Sequence, residues 1–171
     1  MNGLIDILLL IGCIAIIYQD FKYRSIYWYW LPMILIALVS KHLIAYNYEF
    51  FTHDLPLNLA LLISNGIAVT LYFSLKNKRW INPIDTLIGK GDIYLYVVMA
   101  LAFSFPVYVV FFMSSLLIPL MVSLTTLLIK KRLQRTIPLA AYTCIVFVLL
   151  QILNYLPKNP LLSIDQIWHV V

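Results

Sequence analysis

Long apolar stretches, separated by short polar segments, make up most of this 171-residue chain. A bilayer core of about 30 Å needs about 20 mostly apolar residues in a helix, and somewhat shorter segments are tolerated. The pattern predicts an all-α polytopic membrane protein with about six transmembrane helices. We place these spans at residues 3–19, 28–45, 57–75, 92–105, 107–129 and 137–156.

The fourth and fifth spans come from one continuous apolar stretch, Ile93 to Ile129. At about 1.5 Å per residue this stretch is too long to cross a bilayer once. Proline disfavours helix in the residue before it, so Pro106 offers a place for the chain to turn. We therefore expect a tight hairpin of two helices here.

The positive charges support this count of spans, since Lys and Arg accumulate in loops that stay in the cytosol. With six spans, ten basic residues fall on one side of the membrane and two on the other. The ten are Lys22, Arg24, Lys76, Lys78, Arg79, Lys90, Lys130, Lys131, Arg132 and Arg135, and the two are Lys41 and Lys158. Both termini are then expected outside, with loops 20–27, 76–91 and 130–136 in the cytosol.

Composition narrows the function classes. The chain is 63% hydrophobic and 11% charged, which is far more apolar than a soluble domain. Its net charge of +5 is explained by the basic loops, so no nucleic-acid partner is predicted. No Ser/Gly-rich linker or repeat divides the sequence, and residues 1–171 are expected to form one transmembrane domain. The tail 157–171 is expected to lie on the outer surface.

Two carboxylates stand at membrane boundaries. Asp20 ends the first span and Asp92 begins the fourth, which places both at the same cytosolic edge. A carboxylate in such a position costs free energy unless it pairs, faces water or has a function. Two carboxylates within a few ångströms share a proton, and such a pair can activate water for peptide hydrolysis. Asp20 and Asp92 are therefore the candidate catalytic residues.

Two glycines and two cations flank these acids. Because they lack Cβ atoms, Gly89 and Gly91 are expected to let an extended substrate approach and to allow strained loop torsions. Lys90 could lower the pKa of Asp92, steer a substrate carboxylate, or simply be a solvated cytosolic residue. Arg24 could brace Asp20 or contact lipid phosphate.

These residues carry a family resemblance. Residues 20–26, with Asp20 followed by Arg24 and Ile26, resemble the first aspartate motif of the type IV prepilin peptidases. Residues 89–92, Gly-Lys-Gly-Asp, are similar to the Gly-x-Gly-Asp motif of that family and of its preflagellin relatives. Near the last span, residues 137–141 stand where family members have a fuller Pro-Phe-Gly-Pro-like segment.

The resemblance implies an aspartyl endopeptidase that removes the basic leader from pilin-like precursors. It implies a prokaryotic cytoplasmic membrane, an active site facing the cytosol, Asp20 and Asp92 as catalytic residues, and no metal or cofactor. The cytosolic Cys-x-x-Cys domain of longer members is missing, so N-methyltransferase activity is not expected. The implied partners are a precursor protein and the lipid bilayer, and the oligomeric state stays open.

Each acid also has a simpler interpretation. Asp92 could be an ordinary helix cap, and Asp20 a solvated residue at a helix end that pairs with Lys22 or Arg24. Asp85, after Asn-Pro-Ile, is the chief competitor for a catalytic role, although its setting is typical of a turn or a short helix. Asp6 is at the opposite edge, where solvation would explain it.

Other chemistries have weaker support. His42, His53 and His169 are scattered without a His-Glu-x-x-His pattern, and Cys13 and Cys144 are expected to be small core residues. A non-catalytic transporter or assembly scaffold could use the acids as a proton or cation site, but transport favours mid-membrane positions. Presenilin-like proteases share Gly-x-Gly-Asp, yet they use more spans and a Pro-Ala-Leu motif that is absent here.

Overall fold

A computed structural model of the protein describes residues 2–45, 48–78, 89–130 and 137–155. Nearly all of these residues are helical. These residues form seven helices and no strand, which confirms the all-α prediction. The helices are α1 (Asn2–Tyr23), α2 (Trp30–Ile44), α3 (Glu49–Thr52), α4 (Asp54–Asn77), α5 (Lys90–Met99), α6 (Phe105–Lys130) and α7 (Leu139–Tyr155). Each of the six predicted spans overlaps one helix, and α3 is a short addition before α4.

The helices differ in their ability to cross a bilayer. Three are long and apolar enough to do so alone: Gly3–Tyr23, Glu49–Asn77 (α3 and α4 together) and Phe105–Ile129. The apolar helices α2 and α7 are shorter. The 10-residue α5 is about 15 Å long, roughly half of a bilayer core. The predicted fourth span, 92–105, is therefore wrong at its end, because the helix stops at Met99.

The predicted hairpin is present, and polar side chains from neighbouring helices hold its turn. The buried Asn58 donates through Nδ2 to the carbonyl oxygens of Ala100 and Phe103, each at 2.9 Å. His42 donates through Nε2 to the carbonyl oxygen of Leu101 at 2.7 Å. In an apolar environment, unpaired backbone carbonyls are costly, so these side chains make the turn possible.

Side chains of α1 contact both α2 and α7. Lys41 of α2 forms a salt bridge of 2.9 Å with Asp6, whose side chain is only 14% exposed. The expectation that solvation alone explains Asp6 is therefore wrong. Cys13 and Cys144 are both buried, with their thiols in contact between α1 and α7, which confirms them as core residues. We call the end that holds Asp20 and Asp92 the site end.

Candidate active site

Asp20 lies in the last turn of α1 but is not a solvated helix end. It is 7% exposed, and its Oδ2 accepts a hydrogen bond of 2.8 Å from the backbone N–H of Ala141 in α7. The positive charge of Arg24 also acts on this carboxylate. The simpler interpretation of Asp20 as a solvated residue is therefore wrong.

Asp92 is the third residue of α5, and it is half-buried. The helix cap is Gly89, so the interpretation of Asp92 as an ordinary cap is also wrong. Its carboxylate interacts with the backbone N–H of Ala140 and lies close enough to Asp20 for the two charges to interact. The structure thus brings together two acids that are far apart in the sequence.

The first turn of α7 joins the two acids. Ala140 and Ala141 are its second and third residues, and the first N–H groups of a helix have no partner within it. Here Asp92 and Asp20 supply the acceptors. The positive end of the helix dipole favours negative charge at this point, and hydrogen bonds to a carboxylate are stronger than neutral ones. One helix start therefore holds both carboxylates side by side.

Sequence reasoning missed this contribution. It treated residues 137–141 as a departure from a family pattern, whereas the structure places this segment against both acids. Backbone amides carry no residue signature, so only the helix start could have been predicted. Pro138 just before the apolar stretch is the available signal, because proline is common at helix starts.

Comparison with known proteins identifies the family. The sequence model that describes the type IV leader peptidase family matches residues 7–124, which is more than half of the chain. The chain belongs to the type IV leader peptidase family. This confirms the resemblance drawn from residues 20–26 and 89–92, and it makes the chain a leader-peptidase-like membrane protease. No curated protein and no solved structure matches the chain closely enough to be counted as similar.

The two glycines near the acids, Gly89 and Gly91, have different surroundings. A Cβ added to Gly89 would lie 3.1 Å from Oδ2 of Asp92, whereas one added to Gly91 would lie 3.5 Å from the side chain of Ile26. Gly89 has a φ of −65°, and no glycine among the described residues has a positive φ. The expectation of strained glycine torsions is therefore wrong. Gly89 makes room for the carboxylate, and Gly91 lets the Ile26 side chain pack against α5.

We expect Gly89→Ala to reduce cleavage much more than Gly91→Ala. Alanine fits the backbone torsions of both positions, but at Gly89 the new methyl group would lie 3.1 Å from Oδ2 of Asp92, so the carboxylate must shift by a few tenths of an ångström. This shift is a fraction of the misplacement of about 1 Å that can cost about 100-fold in rate, so the expected loss is smaller than about 100-fold. At Gly91 the contact is ordinary, and alanine favours the helix by about 1 kcal/mol. Steady-state cleavage rates of the two variants would test this, and equal losses would contradict it.

The segment after α1 holds α1 and α5 together. Tyr27 donates its backbone N–H to Oε1 of Gln19 at 3.1 Å, which folds the chain back onto α1. This brings Ile26 against Gly91. The Arg-x-Ile motif and the Gly-x-Gly-Asp motif are thus in direct contact, and the apolar member of the first motif has a packing role.

The flanking cations lie at the edge of this site. Arg24 is exposed in a left-handed conformation (φ 54°) that ends α1, and its N–H donates to the carbonyl oxygen of Asp20 at 3.1 Å. Of its two predicted roles, the electrostatic effect on Asp20 favours bracing the acid. Lys90 is exposed in the first turn of α5, and its steering role stays a prediction.

Two further predictions concern other residues. Asp85, the competing acid, lies in the stretch 79–88, outside the described residues. Within the described ranges, no three side chains of His, Cys, Asp or Glu group in a way that could hold a metal ion. Chemistry without a metal stays a prediction.

Proposed function

We propose that this protein is an aspartyl endopeptidase that removes the basic leader from type IV pilin-like precursors, with Asp20 and Asp92 as its catalytic pair. One observation supports this most strongly. Adjacent backbone amides of α7 bind the two carboxylates, which come from different helices and meet at one end of an apolar bundle. Amide donors orient the pair, and Arg24 acts on Asp20 from the edge of the site.

The proposed reaction uses the two acids in opposite protonation states. The ionised carboxylate accepts a proton from water as the water oxygen attacks the scissile carbonyl carbon, and the protonated one donates to the carbonyl oxygen. The resulting tetrahedral intermediate loses its amine when the first acid returns its proton to the leaving nitrogen. The second acid regains its proton from a hydroxyl group of the intermediate, so both are restored.

The amide contacts suit this chemistry. A carboxylate has two oxygens, and the bond from Ala141 occupies Oδ2 of Asp20. The remaining oxygen is then available for water or substrate. Amide donors from a rigid helix also fix the orientation of the carboxylates before substrate arrives, which lowers the cost of reaching the transition state.

We infer that the site end faces the cytosol of a prokaryotic cell and that the chain forms one membrane domain. The excess of Lys and Arg in loops 20–27, 76–91 and 130–136 supports this orientation. Since α1 ends at the site end and α7 begins there, both termini are assigned to the outside. The precursor would approach with its leader in the cytosol and its apolar segment in the bilayer.

A cleavage assay on the full chain in lipid vesicles tests this proposal. The substrate is a precursor with a short Lys/Arg-rich leader, a glycine and an apolar helix, and mass spectrometry locates the cut. We expect cleavage after the glycine that continues undiminished in a metal chelator. The control is the same precursor without its leader. An intact precursor would contradict the proposal and favour a transporter or scaffold, and loss of activity in chelator would indicate a metal.

A further inference from the structure

A buried hydroxyl network lies one helical turn beyond Asp92. Tyr96 of α5 is 7% exposed, and Ser115 of α6 and Thr143 of α7 are fully buried. The Tyr96 hydroxyl oxygen lies 2.9 Å from Oγ of Ser115 and 3.3 Å from Oγ1 of Thr143. Three helices thus meet at one phenol oxygen in the interior of an apolar bundle.

The hydrogen positions in this network follow from its other bonds. Ser115 donates to the carbonyl oxygen of Phe112 at 2.8 Å, and Thr143 donates to that of Leu139 at 2.9 Å. The Ser115 hydroxyl has one hydrogen, so it is an acceptor toward the phenol, whereas the Thr143 hydroxyl shares its hydrogen between the Leu139 carbonyl oxygen and the Tyr96 hydroxyl oxygen at 3.3 Å. Tyr96 therefore donates its single hydrogen to Ser115, the nearer oxygen. The same residue accepts at its backbone carbonyl from the Tyr108 hydroxyl at 3.1 Å.

This network connects to the site from two sides. Tyr96 follows Asp92 by four residues on α5, so the two side chains lie on one face of that helix, and the Asp92 charge acts on the phenol. Thr143 bonds to Leu139, the first residue of the turn whose amides hold the acids. The phenol thus links the helix that carries Asp92 to the helix that orients it.

Packing alone does not require the hydroxyl. The Tyr96 ring meets the ring of Phe112 edge to face with centroids 5.4 Å apart, and phenylalanine would make the same contact. A hydroxyl in an apolar core costs free energy unless it forms a hydrogen bond. Hydrogen bonds between hydroxyls of different helices fix the positions of those helices relative to one another. The 10-residue α5 has little length of its own to fix its position.

We propose that Tyr96 is a positioning residue, whose hydroxyl sets the depth and rotation of α5 against α6 and α7 so that Asp92 meets the Ala140 amide. This inference rests on the proposed function of the acids. Tyr96 does not touch the reacting atoms, and it acts through Asp92. Thr143 completes the link to α7.

The test replaces the hydroxyl and keeps the ring. We expect Tyr96→Phe to lower kcat about 10-fold to 100-fold, since a misplacement of about 1 Å costs up to about 100-fold, with KM nearly unchanged. We also expect its pH-rate profile to shift relative to wild type, because the surroundings of Asp92 change. The control is Tyr94→Phe, which removes an exposed hydroxyl from the same helix. A wild-type kcat and pH profile in Tyr96→Phe would overturn the proposal.

A second pair of variants examines the link to α7. Thr143→Val removes the hydroxyl at similar volume, and Thr143→Ser keeps it. We expect a reduced kcat in Thr143→Val that Thr143→Ser restores, and a combined Tyr96→Phe/Thr143→Val loss smaller than the product of the two single losses. Equal kcat in the valine and serine variants, or a fully multiplicative double loss, would overturn the role of Thr143 in this link.

Cross-linking tests the geometry without catalysis. The test variant carries Asp20→Cys and Asp92→Cys, with Cys13 and Cys144 replaced by alanine. Under a copper–phenanthroline oxidant, the disulfide yield between the two new cysteines reports how close the two positions lie. We expect Tyr96→Phe to lower the yield several-fold, and an unchanged yield would overturn the positioning role. If wild type cleaves no precursor, the proposed function fails, and this yield still decides the inference.

Discussion

Asp20→Asn and Asp92→Asn are each expected to lower the rate of precursor cleavage by about 1,000-fold or more, because general acid–base groups contribute about 100-fold to 10,000-fold and here one pair serves both steps. Asparagine keeps the size of the side chain and can still accept the bond from Ala140 or Ala141. The loss is therefore one of chemistry and not of packing. Single-turnover cleavage in vesicles measures it.

The matched control for these variants is Asp6→Asn. Asp6 is also a poorly exposed acid of α1, but it lies at the opposite end of the helix, paired with Lys41. We expect Asp6→Asn to lower thermal stability slightly and to leave cleavage unchanged.

A wild-type enzyme with the Asp20/Asp92 pair should show a bell-shaped dependence of rate on pH, since one acid must be ionised and the other protonated. Undiminished cleavage by either site variant would eliminate the pair.

Enlarging Ala141 is expected to have the second largest effect. Ala141 is fully buried where its N–H meets Asp20, so the two added methyl groups of Ala141→Val push the start of α7 away from α1. Such overpacking costs about 1–3 kcal/mol, and the shift separates both acids from their amide donors. We expect cleavage to fall about 100-fold, as misplacement of reacting groups by about 1 Å can do. Ala141→Gly, which keeps the N–H, should retain most activity.

The control for overpacking is Ala37→Val in α2. Ala37 is also a buried alanine of the core, but it is distant in sequence from both acids and from α7. Both valine variants should unfold at lower temperature than wild type, and only Ala141→Val should lose cleavage per folded molecule. Equal activity in the two variants would show that the start of α7 does not set the geometry of the site.

The sequence predicted the helices well because their signal is local. An apolar stretch in a membrane protein forms a helix whichever neighbours it meets, and all six predicted stretches do so. The end of α5 could not be predicted in this way. Its turn depends on Asn58 and His42, which reach it from helices distant in the sequence. The pairing of Asp6 with Lys41 was missed for the same reason.

The site was predictable to the extent that it consists of unusual side chains. Acids are rare in this chain, so Asp20 and Asp92 were conspicuous at the membrane edges. The donors from Ala140 and Ala141 belong to the backbone, and two alanines at a helix start carry no chemical signal. The role of Gly89 could not be predicted either, because it depends on where the Asp92 carboxylate lies in the folded chain.

The dependence of both acids on α7 bears on biosynthesis. Asp20 and the Gly-Lys-Gly-Asp segment leave the ribosome long before Leu139, so a nascent chain carries both carboxylates without the donors that orient them. Under the proposed function, the chain can therefore become competent for cleavage only after α7 has been synthesised. Under that proposal, an insertion intermediate that stalls before α7 enters the membrane would not cleave neighbouring proteins.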